Sequence, residues 1–250
     1  MDRNQLIDAV VAQVAARLRA ARVPAEGRVE PSEAARLIDA TCLRPEVTTA
    51  SLDTLCEEAA RLGFHGVCVS SSRVAHVARR LQGTDVRVCS VVGFPFGTST
   101  RRVKAFEARE AVSDGAAEVH AVINIGLLKS KDYRGVEEDI RAVRRATRRT
   151  TILNVVIETI LLTEEEKVLA CELSRKAGAD FLTVSTGFLG GTATEQDLSL
   201  MRRVAGKDMG LKAGGVRSLK ALLSMVAAGA DRVGTAAGAG ILMAIADGSV

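Results

Sequence analysis

Hydrophobic positions change their period repeatedly along this chain. From Asn4 to about Ala21, Leu6, Ile7, Val10, Val11, Val14 and Leu18 recur three or four residues apart, which predicts an amphipathic helix. VPAEGRVEPSE then reads as a linker, so residues 1–30 are expected to form an N-terminal helix and linker ahead of a single domain spanning 31–250. Beyond it, short β-branched runs alternate with longer helical patterns. Eight runs read as strands: LIDATCL (37–43), HGVCVS (65–70), VRVCSVVGF (86–94), EVHAVIN (118–124), TILNVVIET (151–159), FLTVST (181–186), GLKAG (210–214) and RVGTAA (232–237). Amphipathic stretches such as SLDTLCEEAARLG and TEEEKVLACELSRKAG separate them. Gly63, Gly83, Gly115, Gly178 and Gly229 stand where helix C-termini favour glycine.

Eight β-then-α units in about 215 residues predict an α/β fold of the (β/α)₈ TIM-barrel kind, with the N-terminal helix as an addition. A doubly wound open sheet is the rival, but no GxGxxG follows the first strand. In a barrel, chemistry sits at the C-terminal ends of the strands, and alternation decides which side chains point inward. Glu118, His120 and Asn124 share one face of the fourth strand. Asn154 and Glu158 share a face of the fifth, Asp39 and Thr41 of the first, and Thr183 and Ser185 of the sixth. The upper interior is therefore expected to be polar, which a purely structural barrel would avoid.

Composition narrows the function classes. No apolar stretch reaches the roughly 18 residues of a membrane span, and the polar start MDRNQ lacks the order of a secretion signal, so a cytoplasmic protein with no membrane partner is expected. Five scattered cysteines without CxxC spacing suggest reduced, mostly buried thiols, with no disulfide framework and no metal site. Aromatic content of 3% gives no stacking platform for nucleic acid. The basic run 141–149 reads as a solvated helix end, His65 and His76 as surface or packing groups, and Cys68 and Cys89 as small core residues.

Of eight lysines, only Lys212 falls inside a strand. A confined lysine is the residue type that imine chemistry needs, because desolvation and neighbouring cations lower its pKa and free the amine. A lysine snorkelling to the barrel mouth is the structural alternative.

The runs LIDATCLRP, GVCVSS, VVGFPFG, TRRVKAFEAREAVSDGAAEVHAVINIGLLKSKDY, VVIET, STGF, DMGLKAGGVRS and RVGT resemble deoxyribose-phosphate aldolase across roughly residues 36–242. The resemblance implies a (β/α)₈ barrel, usually dimeric or tetrameric, that joins acetaldehyde and glyceraldehyde 3-phosphate through a lysine imine, with no cofactor or metal. Several positions depart from the family pattern. The imine lysine before the STG motif corresponds to Thr183, the aspartate of E[IV]DxVIN to His120, and the lysine of LKV[IV]IET to Asn154; Ala40 and Ser70 also differ. The strand-7 lysine corresponds to Lys212, but one residue rather than two separates it from the glycine pair. If the shortening falls after Lys212 the amine points inward, and if before, Leu211 takes its place. Gly214 and Gly215 keep the first phosphate turn, whereas Ala236 and Ala237 have lost two hydroxyl donors from the second.

These departures lead to the expectation of a lyase-like, aldolase-superfamily enzyme repurposed to a different small carbonyl substrate, with ordinary class I activity in doubt. His120 and Lys212 are the expected catalytic pair. Asp39, Thr41, Ser70, Asn154, Glu158, Thr183 and Ser185 are expected to bind substrate, and Gly187, Gly214, Gly215, Gly234 and Gly238 to hold any phosphate. The alternatives are a genuine 2-deoxyribose-5-phosphate aldolase using Lys212 as a relocated Schiff-base lysine, and a catalytically silent barrel, which a sealed interior would favour. A homodimer or homotetramer is expected.

Overall fold

The computed structural model describes residues 30–247. The helix expected over 4–21 lies outside them. A short helix α1 (Pro31–Ala35) leads into eight strands: β1 (Ile38–Cys42), β2 (Gly66–Val69), β3 (Arg87–Val92), β4 (Glu118–Val122), β5 (Ile152–Val156), β6 (Phe181–Thr183), β7 (Gly210–Gly214) and β8 (Arg232–Thr235). Each strand pairs in parallel with the next, and β8 returns to β1 through Ile38 opposite Val233, closing the barrel. The open-sheet rival is excluded by that closure.

Nine helices alternate with the strands among the described residues: α2 (Thr49–Leu62), α3 (Val74–Arg80), α4 (Arg101–Ser113), α5 (Ile125–Lys129), α6 (Tyr133–Ala146), α7 (Glu164–Lys176), α8 (Glu195–Ala205), α9 (Leu219–Ala227) and α10 (Gly238–Ala246). Their starts follow from the sequence. Thr163 caps α7 by accepting from Glu166 N while the Glu166 carboxylate accepts from Thr163 N, and three glutamates occupy the first turn, where the helix dipole favours negative charge. Gly63 ends α2 in the left-handed conformation at φ 72°, which a side chain would resist.

Strand alternation divides the core in two. Val67, Val119, Leu153, Val155, Leu182, Leu211 and Val233 are fully buried in the layer between barrel and helices. The opposite parity carries Asp39, Glu118, His120, Asn154, Thr183, Lys212 and Arg232, all buried and polar. Outside the barrel, α4 packs on α6 around the buried Lys104, whose Nζ donates to Asp139 Oδ2 at 2.6 Å and Val122 O at 2.8 Å.

The basic run 141–149 has a structural part to play: Arg144 ties the end of α6 to β5 through Asp180, Thr147 and the carbonyls of Arg148 and Thr151. All five cysteines are free thiols, four of them buried. No helix among the described residues is long and apolar enough to cross a membrane.

Candidate active site

A cavity of about 770 Å³ opens at the C-terminal end of the barrel. Thr41, Cys68, His120, Thr183, Ser185 and Lys212 form its floor and walls. Phe94 and Phe188 stand at its rim with their rings edge to face, centroids 5.1 Å apart. The interior is open, contrary to what a silent barrel would favour.

Lys212 faces inward. Its Nζ donates to Asp39 Oδ2 at 2.5 Å, while Leu211 packs on the helix side, so the missing residue is absorbed after Lys212. Burial alone would push the ammonium down, but the Asp39 carboxylate, with Glu118 behind it, holds it well above the usual lysine value. Asp39 itself is fully buried and does not line the cavity, so its part is to hold Lys212 from below.

His120 is equally enclosed. Its Nε2 lies 2.7 Å from Glu118 Oε1 and its Nδ1 lies 3.6 Å from Cys68 Sγ. Burial and the Lys212 charge depress its pKa, yet Cys68 and the Glu118 carboxylate outweigh them and raise it to about 9. Burial pushes Glu118 the other way, and the His120, Arg232 and Lys212 charges bring it far below the usual carboxylate range.

Thr183 donates its hydroxyl to Asn154 Oδ1 at 2.8 Å, and Asn154 Nδ2 is 3.5 Å from Glu118 Oε1. Asn154 thus lies behind the cavity wall and positions Thr183. Ser185 donates to Glu158 Oε1 at 2.8 Å, and the second Glu158 oxygen accepts from Thr186 N at 2.8 Å. Glu158 is not an inward residue of β5 as alternation suggests: the strand ends at Val156, and Glu158 adopts a left-handed conformation at φ 51°. Its carboxylate ties down the loop after β6.

Two further expectations need correction. Ser70 precedes a 3₁₀ turn (Ser71–Arg73) and does not line the cavity. Gly187, Gly214, Gly215 and Gly234 do line it, but Gly238 does not, because its α-carbon is turned toward Phe64 and Ile38. The Gly187 N–H is engaged by Ser185 Oγ at 3.0 Å, and the Ala237 N–H by Thr235 Oγ1 at 2.9 Å.

Arg232 is the residue that sequence reasoning missed. It donates to Glu118 Oε2 at 2.7 Å across the barrel and stacks 3.9 Å over the Phe181 ring. The one signal was a charged side chain at the start of an otherwise apolar strand. Its partner lies 114 positions away, beyond the reach of local pattern.

The DeoC/LacD family aldolase model matches residues 32–247, which include the whole barrel. The chain belongs to the DeoC/LacD aldolase family. It is 49% identical over 223 residues to the deoxyribose-phosphate aldolase of Clostridium perfringens (strain SM101), covering 89% of this chain and 98% of that protein. It is 52% identical over 209 residues to the deoxyribose-phosphate aldolase of Macrococcus caseolyticus, covering 83% and 94%. A crystal structure of a provisionally assigned deoxyribose-phosphate aldolase from Coccidioides immitis superposes with a TM-score of 0.86 at 36% identity, covering 95% and 96%.

Membership of this aldolase family places the chain among the lyases. The kinship also overturns the expectation of a barrel repurposed to a different carbonyl substrate, and the doubt over class I chemistry goes with it. Of the altered positions, Ala40, Ser70 and Asn154 do not line the cavity, while His120 and Thr183 do, beside the amine of Lys212.

Proposed function

We propose that this chain is a 2-deoxyribose-5-phosphate aldolase whose imine forms on Lys212. The observation that carries the reading is that Lys212 is the one lysine lining the cavity among the described residues. Thr183 occupies the position where the family resemblance places the imine lysine, and a hydroxyl cannot form that imine.

Lys212 Nζ passes a proton to Asp39 Oδ2 and attacks the aldehyde carbon of the open-chain sugar phosphate. The carbonyl oxygen leaves as water, taking one proton from the attacking nitrogen and the one stored on Asp39, and an iminium remains. The C2–C3 bond then breaks, its electron pair moves into the iminium to give an enamine, and the C3 hydroxyl proton passes to neutral His120. Glyceraldehyde 3-phosphate departs. Protonation of the enamine by His120 and addition of water release acetaldehyde and restore Lys212. Thr183 and Ser185 supply hydroxyls to the substrate from the cavity wall, and Gly214, Gly215, Gly234 and Arg217 surround the phosphate.

Borohydride reduction in the presence of acetaldehyde or deoxyribose 5-phosphate, followed by peptide mapping, tests the assignment. The reduced adduct is expected on Lys212 and absent from Lys212→Met. An adduct on another lysine, or none while a control aldolase traps normally, overturns it.

A further inference from the structure

Behind the cavity, strands β1, β3 and β4 bring together Asp39, Cys89, Glu118 and His120, all buried, each offering one ligand atom, with those atoms within 4.8 Å of one another. The neighbouring cations do not close this cluster. Lys212 takes Asp39 Oδ2 and Arg232 takes Glu118 Oε2, while Glu118 Oε1 is held by His120 Nε2 at 2.7 Å, a contact that a cation between the two would replace. Asp39 Oδ1 is buried and has no hydrogen-bond partner at all. It is also aimed. A β-carbon placed on Gly66 would meet Asp39 Oδ1 at 2.9 Å and Cys89 Sγ at 3.2 Å, so both atoms converge on the notch left by the missing side chain.

We propose that Asp39, Cys89, Glu118 and His120 form a binding site for a borderline divalent cation of the zinc class. Two carboxylate oxygens, one imidazole nitrogen and one sulfur make a mixed donor set that suits zinc and not magnesium or calcium, which take oxygen ligands. Tetrahedral bonds of about 2.0–2.3 Å set ligand atoms roughly 3.5 Å apart, so the widest separations have to close by about 1.3 Å and the 2.7 Å His120–Glu118 contact has to open. The proton balance is explicit. Cys89 loses its thiol proton to solvent as the sulfur–metal bond forms, and His120 loses the Nε2 proton it shares with Glu118. His120 keeps its Nδ1 proton directed at Cys68 Sγ, the kind of outer contact that orients a ligating imidazole. A dication, two carboxylates and a thiolate, flanked by Lys212 and Arg232, sum to one positive charge. The site does not depend on the imine assignment, but a cation on His120 Nε2 takes the nitrogen that the proposed cleavage uses as a base, so the cation-bound state is distinct from the cleaving one and the test reads binding, not turnover.

The test uses the full chain, freed of metal by a chelator and titrated with cobalt(II) as a spectroscopic substitute for zinc. One equivalent is expected to bind, with the intense visible bands of tetrahedral cobalt and a thiolate-to-cobalt charge-transfer band, and zinc should displace it. Two protons should be released per cation in weakly buffered solution. Cys89→Ser should abolish the charge-transfer band and Cys68→Ser should keep it. No binding, a weak octahedral spectrum, or a band lost in Cys68→Ser but kept in Cys89→Ser overturns the proposal. If Cys89→Ser does not fold, X-ray absorption of the zinc-loaded wild-type protein decides instead: one sulfur among nitrogen and oxygen neighbours supports the site, and a shell without sulfur overturns it.

Discussion

Lys212 on β7 and Asp39 on β1 meet across β8, with Nζ 2.5 Å from Oδ2, because Gly234 of β8 has no side chain to stand between them. A β-carbon on Gly234 would come 3.1 Å from Lys212 Cε and 3.4 Å from Thr41 Cγ2. One glycine in the intervening strand therefore lets an amine and its counter-charge pair inside the barrel. The pairing holds the lysine as an ammonium, so the proposed imine formation on Lys212 has to begin with removal of a proton, and Asp39 lies within reach to receive it.

Asp39→Asn removes the largest of the charges that raise Lys212, leaving burial opposed only by weaker partners such as Glu118, so its pKa falls. The rate of borohydride trapping at Lys212 is expected to reach its plateau at lower pH than in the wild type. The variant also loses stability. Because the folded-state value of Lys212 is raised, its contribution is present in full below the unfolded lysine value near 10.5 and fades only as pH climbs beyond it, so neutral pH shows the whole loss. Identical trapping profiles for variant and wild type would show that Asp39 does not govern the amine.

His120 couples activity and stability in opposite directions. Its pKa of about 9 means that the neutral base needed for the C3 hydroxyl forms only as pH approaches that value, so kcat for cleavage should rise from pH 7 toward pH 9. Stability runs the other way. A group raised from 6.5 to about 9 on folding contributes fully below 6.5 and loses its contribution as pH rises through 9, on the order of 3 kcal/mol in total. His120→Gln retains an amide donor for Glu118 but cannot titrate. Denaturant titrations at pH 6 and pH 9.5 should differ less for this variant than for the wild type, and its kcat should lose the rising limb.

Much of this site can be read from strand alternation alone. The parity of EVHAVIN and ILNVV places Glu118, His120 and Asn154 inside the barrel, where the structure has them. Alternation fails where a strand stops: Glu158 lies two residues past the end of β5, and its left-handed backbone turns the carboxylate to Ser185 and Thr186. It could not orient Lys212 either, since a one-residue deletion reverses the face of whatever precedes or follows it, and only the packing of Leu211 against the helices decides which. Glu118 and Arg232 are joined by barrel closure, which no local pattern encodes.

The phosphate end is open to repair. Ala236 and Ala237 line the cavity where the resemblance leads one to expect hydroxyl donors. A hydrogen bond to a charged oxygen contributes roughly 1.5–3 kcal/mol, about tenfold or more in affinity. Ala236→Ser and Ala237→Ser are each expected to lower KM for deoxyribose 5-phosphate by about that factor and to leave KM for unphosphorylated deoxyribose unchanged. Equal effects on both substrates would mean that the phosphate binds elsewhere.

Thr183 offers the sharpest test of a displaced amine. Its α-carbon is the register partner of Lys212 on the neighbouring strand, and its side chain shares the cavity wall. Thr183→Lys would place a second ammonium roughly one strand spacing, about 5 Å, from the first. Like charges so close inside a protein cannot both stay protonated, so one amine is driven below its usual pKa and becomes free at neutral pH. The lost Thr183–Asn154 hydrogen bond costs about 1 kcal/mol, a small loss against that gain. Retro-aldol kcat at pH 7 is therefore expected to rise at least about tenfold, the factor that one pKa unit of added free amine supplies. Peptide mapping after borohydride should find the adduct divided between Lys212 and the introduced lysine. An unchanged kcat with all the label still on Lys212 would mean that proton removal from the amine does not limit the reaction.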